Sequence, residues 1–124
     1  MAHHARMEHA ELVSKDPVAT QKFLEKAFGL KFTVSGPETG NYRMHGRQEG
    51  AVAGAIGIRA PMGPEPSGTI SYLTVPNLDD ALKSVQGAGG KIIQPRTEIP
   101  GMGWMAIYVA PGEVTQGLYQ AKHP

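Results

Sequence analysis

His9 and Glu11 stand two residues apart in the alternating stretch RMEHAELVS at 6–14, so on an extended strand both side chains leave one face, with Met7 and Val13. An imidazole beside a carboxylate can hold and move a proton near neutral pH, because the negative charge favours the imidazolium. The pair is the first candidate for acid–base chemistry or for orienting a substrate. The competing reading makes His9 a hydrogen-bonded wall residue with Glu11 at the rim. Nucleophilic catalysis has no basis here: the chain has no cysteine, and no serine lies in a G-x-S-x-G elbow. A metal on His9 would need further donors, for which His45 and Glu49 are the available loop residues, and no metal or other cofactor is expected.

A second group of candidates is aromatic. Trp104, Ala106 and Tyr108 alternate along one predicted strand and share a face, where the rings could stack on a planar ligand or serve as ordinary core or dimer contacts. Tyr42 and Met44 stand at i and i+2 beside a glycine-flanked loop, as a lid over a ligand or as the edge of a hairpin.

Composition narrows the functions these residues can serve. The 124-residue chain is one domain long, with 12 basic and 11 acidic residues and a net charge of +1. That balance provides no field to steer nucleic acid or an anionic membrane. No apolar run reaches the length of a membrane span, and residues 1–6 lack the apolar core of a signal peptide. A cytoplasmic protein with a small-molecule ligand is the expectation, with neither nucleic acid nor membrane as partner.

Sixteen glycines and 10 prolines, nearly double the usual share, argue against a helical bundle and for many short elements divided by turns. Strand 6–14 leads to a helix capped by Asp16 with Pro17 at its first position. The helix should bury Ala19, Phe23, Leu24, Ala27 and Phe28, turn Gln21, Lys22, Glu25 and Lys26 to water, and stop at Gly29. Strands follow at 30–35, 41–45 and 51–59. Residues 61–67, PMGPEPS, read as a linker without structure. The order then repeats: strand 69–75, a helix capped by Asn77 with Leu78, Ala81, Leu82 and Val85 on one side, and strands at 91–94, 104–109 and 114–120.

Asp16 and Asn77 lie 61 residues apart, and Gly29 and Gly89 lie 60 apart. The chain is thus expected to be a single α+β domain of two tandem βαβββ modules, 6–60 and 68–121, joined by the linker 61–67. Two such curved sheets can enclose a central cleft, where ligands usually sit.

Residues 9–32, HAELVSKDPVATQKFLEKAFGLKF, resemble the opening of vicinal oxygen chelate proteins: the glyoxalase, bleomycin-resistance and extradiol dioxygenase superfamily. Residues 69–120 resemble the second module of its glyoxalase-like branch through V-x-x-L-D-x-A, G-G-K, IPG-x-G and the closing GLYQ. The resemblance implies a glyoxalase-like fold, homodimers, and a divalent metal held at four positions on the first and last strand of each module. Those positions correspond here to His9, the neighbourhood of Ile56, Ile70 and Gly117, so three of the four lack a ligand. It also implies that Tyr72 and Tyr119 border the cleft, where Tyr42, Ile56, Ile70, Tyr72, Trp104, Tyr108, Gly117 and Tyr119 are expected to contact substrate. The reading that follows is a glyoxalase-like protein binding a small organic molecule. His9 and Glu11 would carry a lyase or isomerase step; the alternative is a non-catalytic, bleomycin-resistance-like protein that sequesters its ligand.

Overall fold

Both helices begin where a short polar side chain replaces a missing backbone partner. Asp16 Oδ1 accepts from the Ala19 N–H at 3.1 Å, and Asn77 Oδ1 accepts from the Asp80 N–H at 3.0 Å. The first helix stops at Gly29, whose φ of 72° is left-handed. The computed structural model describes residues 4–37, 40–46, 55–63 and 65–122. Their elements are β1 (Arg6–Val13), α1 (Pro17–Phe28), β2 (Thr33–Val34), β3 (Arg43–His45), β4 (Ala55–Arg59), β5 (Gly68–Thr74), α2 (Leu78–Gly87), β6 (Lys91–Ile99), β7 (Gly103–Ala110) and β8 (Val114–Ala121).

The order βαβββ therefore occurs twice, as the repeat of caps predicts, and the fold is α+β. The chain divides into two units, residues 9–70 and residues 71–122 with 4–8. In the first, the strands run in the order β2-β3-β4-β1, with β1 parallel to β4 and the other pairs antiparallel. In the second the order is β5-β8-β7-β6, again with its first and last strands, β5 and β8, parallel. Among the described residues no helix is long and apolar enough to cross a membrane.

Several boundaries differ from the sequence expectation. β2 covers only two residues, and β6 continues past Gln94 to Ile99, absorbing Pro95 through register shifts against β7. The predicted start of β4 at 51–54 lies outside the described residues. The linker is not structureless: the Glu65 N–H donates to the Met62 carbonyl at 3.4 Å, and Glu65 Oε1 accepts from the Met62 N–H at 3.0 Å.

The larger correction concerns α1. None of its residues is buried, and Phe23 and Phe28 are 63% and 70% exposed. The half-buried positions are Pro17, Thr20, Gln21, Leu24 and Glu25, spaced as one helical face. A hydrogen bond of 2.7 Å between Ser14 Oγ and Thr20 Oγ1 is made on this face and ties the first turns of the helix to the end of β1. The Phe23 and Phe28 rings meet edge to face outside, 6.4 Å apart. The second helix obeys its periodicity: Leu78 and Ala81 are buried with Val75, Ala106, Tyr108 and Leu118 in the core of the second unit.

Register decides which side chains share a face. In the first unit Glu11 lies opposite Gly57, Val13 opposite Arg59, and Met44 opposite Gly57, so these residues and His9 belong to one face. Ala10, Leu12, Ile56 and the fully buried Ile58 belong to the other, with α1. In the second unit Tyr72, Gly117 and Ile107 share one face, and Leu73, Leu118 and Ala106 share the side covered by α2.

Glycines 57 and 117 stand 60 residues apart, in the last strand of each module, and each lies under a tyrosine. A Cβ on Gly57 would overlap the Tyr42 hydroxyl, and one on Gly117 would fall within the Tyr72 ring. An ionic group secures the same face of the first unit. Glu11 is only 5% exposed, and the Arg59 Nε–H donates to its Oε2 at 2.8 Å. Arg59 then grips Glu65 with both terminal nitrogens, at 2.6 and 2.8 Å. Burial opposes the charge on Arg59, but Glu65 and Glu11 outweigh it and hold the guanidinium protonated. The Arg59 hydrogen bonds hold the Glu65 carboxyl below its usual range.

Arg59→Met takes the guanidinium from the buried Glu11 carboxylate and from Glu65, and is expected to cost about 3–5 kcal/mol in urea denaturation. The Glu65 share of stability is present above the ordinary carboxylate pKa and is lost as pH falls through its lowered value. Gly57→Ala and Gly117→Ala should each cost about 1–3 kcal/mol by overpacking. The penalty of Gly117→Ala should be less than additive with that of Tyr72→Ala, because the second change removes the ring that the new methyl meets.

Candidate active site

His9 on β1 is half-buried. Its Nε2 lies 2.8 Å from Tyr42 Oη, and the two rings stack 6.2 Å apart with planes 23° from parallel. Tyr42 is pinned from behind. Its carbonyl accepts from the Ser35 N–H at 2.9 Å and from the Ser35 hydroxyl at 3.1 Å, and Asn41 before it takes a left-handed φ of 55°. The absence of a side chain on Gly57 lets the phenol lie across β4 and reach His9. Tyr42 stands just before β3, tied to Ser35 after β2.

Burial lowers the His9 pKa, and the nearby charge of Glu11 offsets part of that shift. The imidazole is therefore neutral at pH 7 and able to accept a proton. Glu11 acts on it through charge, since its own carboxylate is taken up by Arg59. Arg59 and Glu65 were missed by sequence reasoning. The signal was there for Arg59: a carboxylate on an inward-alternating position needs a cation, and Arg59 ends the adjacent predicted strand.

The remaining sequence candidates are spread over different places. Ile56 lies on the α1 side of β4, opposite to His9. Ile70 is buried in β5, and Tyr72 is buried over Gly117. Tyr119 donates its hydroxyl to the Met102 carbonyl at 2.8 Å, and burial raises its pKa. Trp104 and Tyr108 belong to the α2 side of the second sheet, the face opposite Tyr72 and Gly117. Trp104 carries the Arg96 guanidinium 4.7 Å from its ring centre, while Tyr108 donates to Gln116 Oε1 at 2.7 Å. His45 is on the α1 side of β3 with Nδ1 2.8 Å from the Lys31 carbonyl, so it does not join His9. Glu49 lies outside the described residues.

The four positions implied for a divalent metal can be tested against these side chains. In the first unit His9 is a donor, but the last strand presents Gly57 on the His9 face, with Tyr42 over it. In β5 and β8 the corresponding residues are the hydrocarbon Ile70 and Gly117, the latter under the Tyr72 ring. Among the described residues no group of three or more His, Asp or Glu side chains comes together. One imidazole and three positions without donor atoms do not fit a divalent ion.

Comparison with known proteins agrees with the architecture. The Glyoxalase/Bleomycin resistance protein/Dioxygenase superfamily profile matches residues 6–111. No curated protein matches the chain. Among solved structures, a methylmalonyl-CoA epimerase in complex with methylmalonyl-CoA superposes with a TM-score of 0.68 at 13% identity, covering 96% of each chain. A Streptomyces coelicolor methylmalonyl-CoA epimerase variant bound to 2-nitronate-propionyl-CoA has a TM-score of 0.66 at 14% identity, covering 94% of this chain and 97% of that one. A structure described as an NAD-dependent benzaldehyde dehydrogenase from Legionella pneumophila has a TM-score of 0.66 at 19% identity, covering 92% and 98%. At these identities the likeness is one of fold. The repeated βαβββ order and the profile match over most of the chain lead to one conclusion: the chain belongs to the Glyoxalase/Bleomycin resistance protein/Dioxygenase superfamily.

Proposed function

We propose that this protein binds a small organic carbonyl compound and moves a proton at the carbon beside the carbonyl, an isomerase or lyase type of step. His9 and Tyr42 are the proton-handling pair. The observation that carries this reading is the 2.8 Å hydrogen bond between His9 Nε2 and Tyr42 Oη. A neutral imidazole accepts the Tyr42 proton at Nε2 as the phenol oxygen takes a proton from the substrate carbon. The electron pair left behind is held as an enolate. Return of the proton from Nε2 through Tyr42 restores a carbon–hydrogen bond on the face that Tyr42 meets and leaves both residues as they began. Glu11 favours the transient imidazolium, and Arg59 keeps that carboxylate in place. The likeness of fold to a methylmalonyl-CoA epimerase in complex with methylmalonyl-CoA supports an isomerase step here.

Solvent exchange at carbon provides the test. The protein is incubated in D2O with methylmalonyl-CoA and with a panel of 2-oxo acids, and loss of the α-proton signal is followed by NMR. His9→Gln and Tyr42→Phe are each expected to slow exchange by about 10²–10⁴-fold while thermal unfolding stays cooperative. Full exchange in both variants removes the assignment. No exchange with any compound, alongside saturable binding of a planar antibiotic, favours sequestration of a ligand instead.

The pH dependence has a fixed sign. The rate should fall on acidification with a midpoint below the ordinary histidine value of 6.5, since the imidazolium cannot accept a proton. The imidazole Cε1–H signal of His9 should titrate in the same range and move lower still in Glu11→Gln, where the charge that raises it is gone. A midpoint above 6.5 contradicts the site as described. Because His9 binds its proton less readily folded than unfolded, its contribution to stability also declines as pH drops through 6.5 toward that lower value.

A further inference from the structure

The second unit contains a pocket that the His9–Tyr42 chemistry does not use. It lies between the C-terminal half of α2 and the sheet face carrying Leu73, Tyr108 and Leu118, and its volume is about 300 Å³. The cause is legible in the helix. Leu78 and Ala81 are buried at the N-terminal end, but farther along Val85 is only half-buried, and the exposed Ser84 and the C-cap Ala88 carry side chains too short to close the groove. Gly90, Ala110 and Pro111 widen the same end.

The lining sets the class of ligand. It holds no charged side chain and is mainly hydrocarbon, which favours a neutral apolar molecule. Ser84 and a hydrogen-bonded pair interrupt it. Tyr108 spends its proton on Gln116 Oε1 at 2.7 Å, leaving lone pairs on the phenol oxygen, and Gln116 Nε2 reaches Ser71 Oγ only at 3.5 Å and has a second N–H. An acceptor and a donor side by side match a hydroxyl group. Burial raises the Tyr108 pKa, so the phenol stays neutral in its role. An apolar cavity of ~150 Å³ accommodates benzene, so about twice that room suits a molecule of roughly eight to ten heavy atoms.

We infer that the groove between α2 and the second sheet is a binding site for a small, neutral, largely hydrocarbon molecule bearing one hydroxyl group, separate from the His9 site. 4-Ethylphenol has this size and chemistry, and ethylbenzene differs from it by the hydroxyl alone. In ¹H–¹⁵N spectra of the full chain, 4-ethylphenol should give saturable shifts at the amides of Leu73, Ala81, Val85 and Leu118, with a Kd of about 1 mM or tighter. Ethylbenzene should bind about fivefold or more weakly, and Tyr108→Phe should narrow that difference. Ala88→Leu at the C-cap and, independently, Ser84→Leu within α2 place a larger side chain in the groove and should weaken binding about tenfold or more. Absence of shifts at these amides, or shifts unchanged in both filled variants, overturns the site. Equal affinity for the two probes overturns the hydroxyl requirement. The readout is local to α2 and independent of proton exchange, so it stands or falls apart from the His9–Tyr42 reading.

Discussion

A carboxylate buried on a sheet face has to be neutralised, and in this protein Glu11 depends on Arg59. Much of the first unit is arranged around that need. The parallel pairing of β1 with β4 sets Val13 opposite Arg59 and Glu11 opposite Gly57, which brings the guanidinium within reach of the carboxylate. Arg59 has donors to spare, and Glu65 takes them, so a proline-rich connection becomes a turn fixed to the sheet. The same register leaves Gly57 beside the ion pair, and that bare stretch of backbone is where Tyr42 crosses to His9.

The two modules share their architecture and differ in their chemistry. Each ends in a strand with a glycine covered by a tyrosine, but the rings come from different places: Tyr42 from the approach to β3, Tyr72 from β5 itself. In the first module the face beside the glycine carries an imidazole, a carboxylate and a guanidinium. In the second it carries Ile107 and Tyr72, both buried. A duplicated scaffold thus sets different side chains beside the same glycine. The other half places a polar pair, Tyr108 and Gln116, on the opposite side of its sheet, under α2.

Local signals were sufficient for the order of elements. Caps at Asp16 and Asn77 and the stop at Gly29 act within one turn of helix, so they can be read without knowing what packs where. The apolar stripe of α1 suggests burial, but the helix faces the sheet with Thr20, Gln21 and Leu24 and leaves Phe23 and Phe28 outward. His9 and Glu11 were legible as a pair from strand alternation alone. Their partners were not, since Tyr42 and Arg59 stand 33 and 48 residues further along the chain.

By itself, then, the sequence determined the βαβββ repeat, its punctuation, and the placing of His9 and Glu11 on one side of a strand, because each depends on steric and hydrogen-bonding preferences over a few residues. It also determined that most positions implied for a metal lack a donor, since isoleucine and glycine side chains have none to offer. Strand register alone decided that Tyr42 meets His9 over Gly57, that Arg59 rather than His9 answers Glu11, and that Trp104 and Tyr108 turn away from Tyr72. A shift of one residue in pairing exchanges every inward side chain for an outward one, and register is fixed by contacts across the whole sheet.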